Sequence, residues 1–129
     1  MAILINKNMN ILGGLSLSQL YLRIEYFVGL SGKNINCNVY PYFNKESFKS
    51  SPIDNVLKIN EIKSYYNIQY NNDGDLLLFL HNKIKNDLST DIYKNTSIED
   101  PSTGELITQK ILVKEKFVDE KDISFIDLD

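Results

Sequence analysis

The sequence predicts an α+β, β-rich domain: an antiparallel sheet or sandwich of about six to eight strands with one main helix, at about residues 75–89. Three observations carry this. "SQLYLRIEYFVGL" alternates apolar and mixed residues with a period of two. "NINCNVYPYF" resumes the alternation after the turn residues "SGK" at 31–33, which is the mark of a β-hairpin. "DLLLFLHNKIKNDLS" alone changes period, with Leu77, Leu80, Ile84 and Leu88 at spacings of three and four.

The elements follow in order. Residues 2–12 form a short extended segment, with Ile3 and Ile5 on one face and Gly13-Gly14 ending it. In the next strand Leu20, Leu22, Ile24, Tyr26 and Val28 share a face. The opposite face carries Tyr21 and Phe27 beside Arg23 and Glu25, so it too is expected to be partly covered. The return strand puts Ile35, Cys37, Val39 and Phe43 on one side, and Pro41, which cannot donate to a ladder, places its end at an edge or bulge. "NKESFKSSPIDN" is a loop with one helical turn, followed by two extended segments, "NVLKIN" and "SYYNIQY". In the second of these, Tyr66, Ile68 and Tyr70 oppose Tyr65, Asn67 and Gln69.

"NNDG" makes a turn, and Asp73 or Asp75 can cap the helix that follows. A hairpin around that turn is the rival reading, but the apolar pattern runs too long at helical spacing for a strand. "IYKNTSIEDPSTGELITQKILVKEKF" gives two strands around "DPSTG", with Ile107, Ile111, Val113 and Phe117 expected on the inner face. The end, "ISFIDLD", sets Ile123 and Phe125 opposite Ile126 and Leu128, which is too apolar for a free tail and is expected to dock on its own domain or on a neighbour.

With 129 residues the chain is expected to form one domain, 1–129, large enough for a core without staples. A single cysteine, Cys37, allows no internal disulfide and no multi-cysteine metal site, and it sits where a small buried apolar residue belongs. No apolar run approaches the roughly 18 residues of a membrane span. The opening "MAILINKNMNILGG" lacks the apolar core of a secretory signal. The formal net charge is −3, so nucleic acid is not an expected partner. The acidity is concentrated: residues 115–129 carry six acids against Lys116 and Lys121, and this segment is read as a possible acidic docking arm.

No catalytic, cofactor or metal site is predicted. His81 is the only histidine and stands among leucines. A histidine base needs a nucleophile and an orienting acid. No serine elbow or comparable motif supplies them, and a metal would lack further His or Cys ligands. His81 is read as a boundary residue, its ring inward and one nitrogen wet. "NNDGD" is not a calcium loop, because the sixth and twelfth positions from Asn71 are Leu76 and Asn82 where the pattern needs Gly and Glu. The pairs Asp73/Asp75 and Glu99/Asp100 lie in turns, where Asp bonds nearby backbone. The eight tyrosines say more, since a large apolar ring with a polar tip suits half-buried sheets and protein interfaces. The interface candidates are Tyr40, Tyr42, Tyr65, Tyr66, Ile123, Phe125, Ile126 and Leu128.

The stretches "ILINKNMNILGGLSLSQLYLRIEYFVGL", "GKNINCNVYPYFNKESF", "LLFLHNKIKNDLSTD", "DPSTGELI" and "DISFIDLD" together resemble small structural proteins of tailed-phage virions, most of all those of the AT-rich crAss-like gut phages. The composition fits an AT-rich source, with 16 Ile, 15 Asn and 13 Lys but one Arg. The resemblance implies a non-enzymatic role in the virion, as a neck ring, collar or tail component. It implies other virion proteins and further copies of the chain as partners, and it carries no catalytic residues. On this reading residues 115–129 add to a neighbour's sheet edge. A small β-rich module that engages a host or bacterial protein is the second expectation, and an enzyme built from scattered polar residues is a distant third.

Overall fold

A computed structural model gives the fold and describes residues 1–11, 14–71 and 74–126. Seven strands form two antiparallel sheets beside one main helix, so the β-rich α+β class holds; the body is a single sheet and not a sandwich. Strands β1 (Ala2–Ile11), β2 (Leu15–Val28), β3 (Asn34–Tyr42), β4 (Tyr65–Gln69) and β7 (Ile123–Ile126) make the body in the order β4-β3-β2-β1-β7. Strands β5 (Ile92–Glu99) and β6 (Leu106–Lys114) pair only with each other. Helix α1 spans Lys45–Ser50 and helix α2 spans Leu76–Ser89.

Each face of the body sheet has its own apolar cluster. The larger holds Ile3, Ile5, Leu20, Leu22, Ile35 and Cys37, all fully buried, under Leu80, Ile84 and Leu88 of α2. Asp75 caps α2 by accepting from the N–H groups of Leu77 and Leu78, which the helix itself leaves without partners. Asp73, the other cap candidate, lies outside the described residues. The second cluster gathers Ala2, Tyr21 and Tyr42 with Tyr40, Phe48, Val56 and Ile126 packed on it. The mixed face of β2 is therefore partly covered, as expected: Tyr21 is buried, whereas Phe27, at 56%, stays exposed. Asn44 caps α1 through the Ser47 N–H, so "NKESF" holds the one helical turn expected of it.

"NVLKIN" is not a strand. It runs as an irregular connection in which the Leu57 N–H donates to the Pro41 carbonyl (2.8 Å), while Ser64 Oγ accepts from the Val39 N–H (3.2 Å). The β3–β4 ladder ends at Cys37–Tyr65, so Pro41 sits where the outer side of β3 meets this connection. In β4 a bulge sets Tyr66 and Asn67 opposite Asn36, with Asn67 at a φ of 55° and its N–H donating to Asn36 Oδ1. The bulge breaks the alternation read for this segment: Tyr65 turns toward the core and Tyr66 faces outward, although Ile68 and Tyr70 stay buried.

The acidic end belongs to the body. Phe117 and Val118 donate their N–H groups to the Leu88 carbonyl at the C-terminus of α2, and β7 then pairs with β1 from Ile5–Ile123 to Ala2–Ile126. Val118 is 1% exposed and Ile123 is 6% exposed. Asp119 and Glu120 meet Lys116 and Lys85. Of the two dockings expected for this segment, on its own domain or on a neighbour, its described part makes the first, because a short apolar strand fits the otherwise open edge of β1. Asp127, Leu128 and Asp129 lie outside the described residues.

Candidate assembly site

The eight interface candidates divide when placed on the fold. Tyr42 is 2% exposed, its hydroxyl donating to the Pro52 carbonyl (2.7 Å) and its ring edge-on to Phe48, so it is core and not interface. Ile123 is core as well. Phe125 and Ile126 lie half-buried on opposite faces of the sheet, Phe125 against the α2 side and Ile126 against Ala2 and Tyr21. Tyr40 is half-buried in that second cluster. Tyr65 packs on the main core and hydrogen-bonds Asp87 of α2; burial first, and then that carboxylate, push its phenol well above the usual range. Tyr66 is the one largely exposed, at 69%, among those described. Leu128 lies outside the described residues. These candidates do not come together as one surface.

His81 is fully buried and is not a boundary residue. Its Nδ1 lies 2.7 Å from the Leu77 carbonyl, which can only accept, so Nδ1 carries the proton. Its ring meets Phe125 edge-on, and Nε2 has no hydrogen-bond partner among the described residues. Burial holds its pKa below the usual imidazole value, an effect that the Leu77 and Met1 backbone and Asp75 offset in part and the N-terminal ammonium reinforces. A ring with no exposed nitrogen cannot reach a substrate proton. Its consequence is for stability. Because the folded value is the lower one, the stabilising effect is complete above the ordinary value of 6.5. It is lost as pH falls from there toward the folded value, since the unfolded chain protonates first. We expect the unfolding free energy of the wild-type chain, from urea titration, to drop between pH 7.5 and 5.5, by at most about 1.4 kcal/mol per pH unit from this group. His81→Met should flatten that dependence, and an unchanged slope in the variant would contradict this assignment.

Burial pushes the Cys37 thiol up to about 11, so it stays protonated and inert at neutral pH, as its place in the strand predicts. The only arginine, Arg23, is held by its neighbours: its guanidinium lies 4.2 Å from the centre of the Phe48 ring and Nη1 donates to the Tyr21 hydroxyl. A groove of about 450 Å³ runs beside it, past Tyr40, Pro52 and Ile53. Among the described residues no three His, Cys, Asp or Glu side chains gather as a metal site, and no helix is long and apolar enough to cross a membrane.

The feature that stands apart is the β5–β6 hairpin. It was expected to supply an inner face, yet Ile107, Ile111 and Val113 are 51, 47 and 60% exposed; of the four residues named for that face only Phe117 packs on the core. The ladder pairs Lys94 with Ile111, Thr96 with Gln109 and Ile98 with Ile107. One face therefore carries the pairs Ile98–Ile107, Thr96–Gln109 and Lys94–Ile111 in succession, with Ile92 beside Lys114 at the root. The other carries Tyr93 and Leu112 at the root and Leu106 near the tip. The tip turns through Asp100, whose carboxylate accepts from the Ser102 N–H and hydroxyl, and through Gly104 at a φ of 72°. At the root the Asp91 carboxylate accepts from the Lys116 N–H (2.7 Å), so the two ends of the arm leave the body side by side.

A two-stranded hairpin with solvent on both faces is marginal by itself. Grouped apolar residues that a chain leaves uncovered mark a surface for another protein. Alternation in the sequence could show that the two faces differ, but not that both are open. The separated charge of the arm was the readable signal. Lys94, Lys110 and Lys114 lie in its root half, and Glu99, Asp100 and Glu105 lie at its tip. No family model, no curated protein and no solved structure matches the chain.

Proposed function

We propose that the protein is a non-enzymatic structural component of a phage particle, in the neck or tail, and that it works by protein–protein assembly through the β5–β6 hairpin. The observation that carries this is an arm of two strands that leaves the body and holds Ile92, Ile98, Ile107, Ile111 and Leu106 between 47 and 76% exposed. Such an arm is stabilised when a partner covers its apolar faces or extends its ladder. The resemblance of the sequence to small phage structural proteins suggests the particle in which that occurs. The body contributes a rigid mount, since β7 closes one sheet edge and α2 covers one face.

Banding of particles from the source on a density gradient, followed by peptide mass spectrometry, tests this reading. The chain should travel with the particles at a fixed ratio to the other virion proteins. Recovery only from the soluble fraction, bound to a host protein, would replace the reading with that of a small binding module.

A further inference from the structure

We infer that the hairpin's occupant is the hairpin of a second copy of this chain, packed isoleucine face to isoleucine face and tip to root. The inference rests on the assembly reading above and names its partner. Between Ile92 and Lys114 the three charged side chains of the root half are lysines and the three at the tip are acids; Asp91 and Glu115 flank the root, where Asp91 is held by the Lys116 N–H. Hydrogen bonds from Ser102 hold the Asp100 carboxyl below the usual carboxylate range, which fixes the negative end. Laid tip to tip, two arms would set like charges against each other. Laid tip to root, Lys94 and Lys114, the two lysines on the isoleucine face, come to the other copy's acidic tip, and the contact is the same in both directions, as a twofold axis requires.

The apolar residues obey the same symmetry. On the isoleucine face Ile98 and Ile107 lie in the tip half, while Ile111 with its cross-strand partner Lys94, and then Ile92, lie in the root half. Reversing one arm on the other about Thr96 and Gln109 brings the Ile98–Ile107 pair of each copy over the Lys94–Ile111 pair of its mate, with the lysine's apolar stem against isoleucine and its ammonium at the rim. Thr96 and Gln109 then meet at the centre, where their polar groups can bond across the axis. An open concavity of about 440 Å³ between Ile98, Pro101, Ile107 and Gln109 gives the mate's root isoleucine a seat. The face is small, roughly 26 Å long for eight residues at the rise of a strand. The pairing is accordingly weak and must be followed to high concentration.

Charge reversal on the full chain tests this. The root variant is Lys94→Glu with Lys114→Glu; the tip variant is Glu99→Lys with Glu105→Lys, leaving Asp100 to hold its turn. Sedimentation velocity from about 1 μM to 1 mM should show the wild-type chain in a monomer–dimer equilibrium that salt weakens. Each variant alone should dimerise at least about tenfold more weakly. Mixed in equal amounts the two should form a one-to-one dimer of near wild-type strength, and the chain carrying both reversals should pair with itself. Ile98→Ser with Ile107→Ser should abolish the dimer.

Three results would overturn the inference: a wild-type chain that stays monomeric to 1 mM, variants that weaken without recovery on mixing, or an unchanged dimer in the isoleucine variant. The last would point to edge pairing in place of face packing. A monomeric chain that still bands with particles would sink this inference alone; a dimer absent from particles would sink the virion reading alone.

Discussion

A chain that stops at Glu115 is expected not to fold. The missing segment carries Val118 and Ile123, both buried in the main core, and Phe117, Phe125 and Ile126, partly buried against one cluster or the other. At about 1.5–3 kcal/mol for each fully buried side chain, Val118 and Ile123 alone contribute a large part of the 5–15 kcal/mol that holds a typical domain. Loss of β7 also strips its partner from β1 and leaves that edge open to pairing with other chains. Circular dichroism and urea titration should show no cooperative transition for the truncated chain. The point variant Ile123→Ala should cost about 2–5 kcal/mol by the same measurement. A truncated chain that melts near the wild-type midpoint would return residues 117–126 to the role of a detachable arm.

The opposite outcome is expected when the hairpin is removed. Replacing residues 92–114 with a short Gly-Ser loop should leave the body's unfolding free energy, from urea titration, within about 0.5 kcal/mol of wild type, because surface changes away from the core cost little. The replacement is feasible because Asp91 and Lys116 are already joined by a hydrogen bond, so a few residues can bridge the gap. The Leu88 carbonyl still receives the Phe117 and Val118 N–H groups, which keeps the last segment docked. Assembly, by contrast, should be lost outright, with the shortened chain monomeric at every concentration and absent from particles. Cooperative unfolding at a much lower urea concentration would show that the arm supports the body after all.

The second expectation inverts what the sequence suggests and the first chooses between two dockings that it leaves open, for physical reasons. Helix α2 was legible because Asp75 caps it and Leu80, Ile84 and Leu88 repeat at helical spacing. Strands β2 and β3 were legible because Leu20, Leu22, Ile35 and Cys37 alternate without interruption. Tyr65 and Tyr66 were misassigned because the bulge at Asn67 shifts the pairing by one residue, and only asparagine's tolerance of positive φ hints at it. That the last segment docks was legible in its apolar residues, but the choice between its own domain and a neighbour was not; the burial of Val118 and Ile123 in the body makes that choice. Alternation in β5 and β6 marked strands correctly but carried no information on whether either face meets the core. That depends on which sheet edge is free, and the body sheet accepts β7 at β1. His81 shows the same limit: the spacing put it at the margin of the apolar stripe, and its full burial involves Phe125, more than forty residues further on.

The central claim is that the hairpin is an open arm until another chain covers it. Amide hydrogen exchange on residues 92–99 and 106–114, compared between dilute chain and assembled protein, tests it most directly. Rapid exchange across both strands in the dilute chain, becoming slow on assembly while β1–β3 stay protected throughout, is the result expected. Strong protection of the hairpin in the dilute chain, or none in the assembled state, would contradict it.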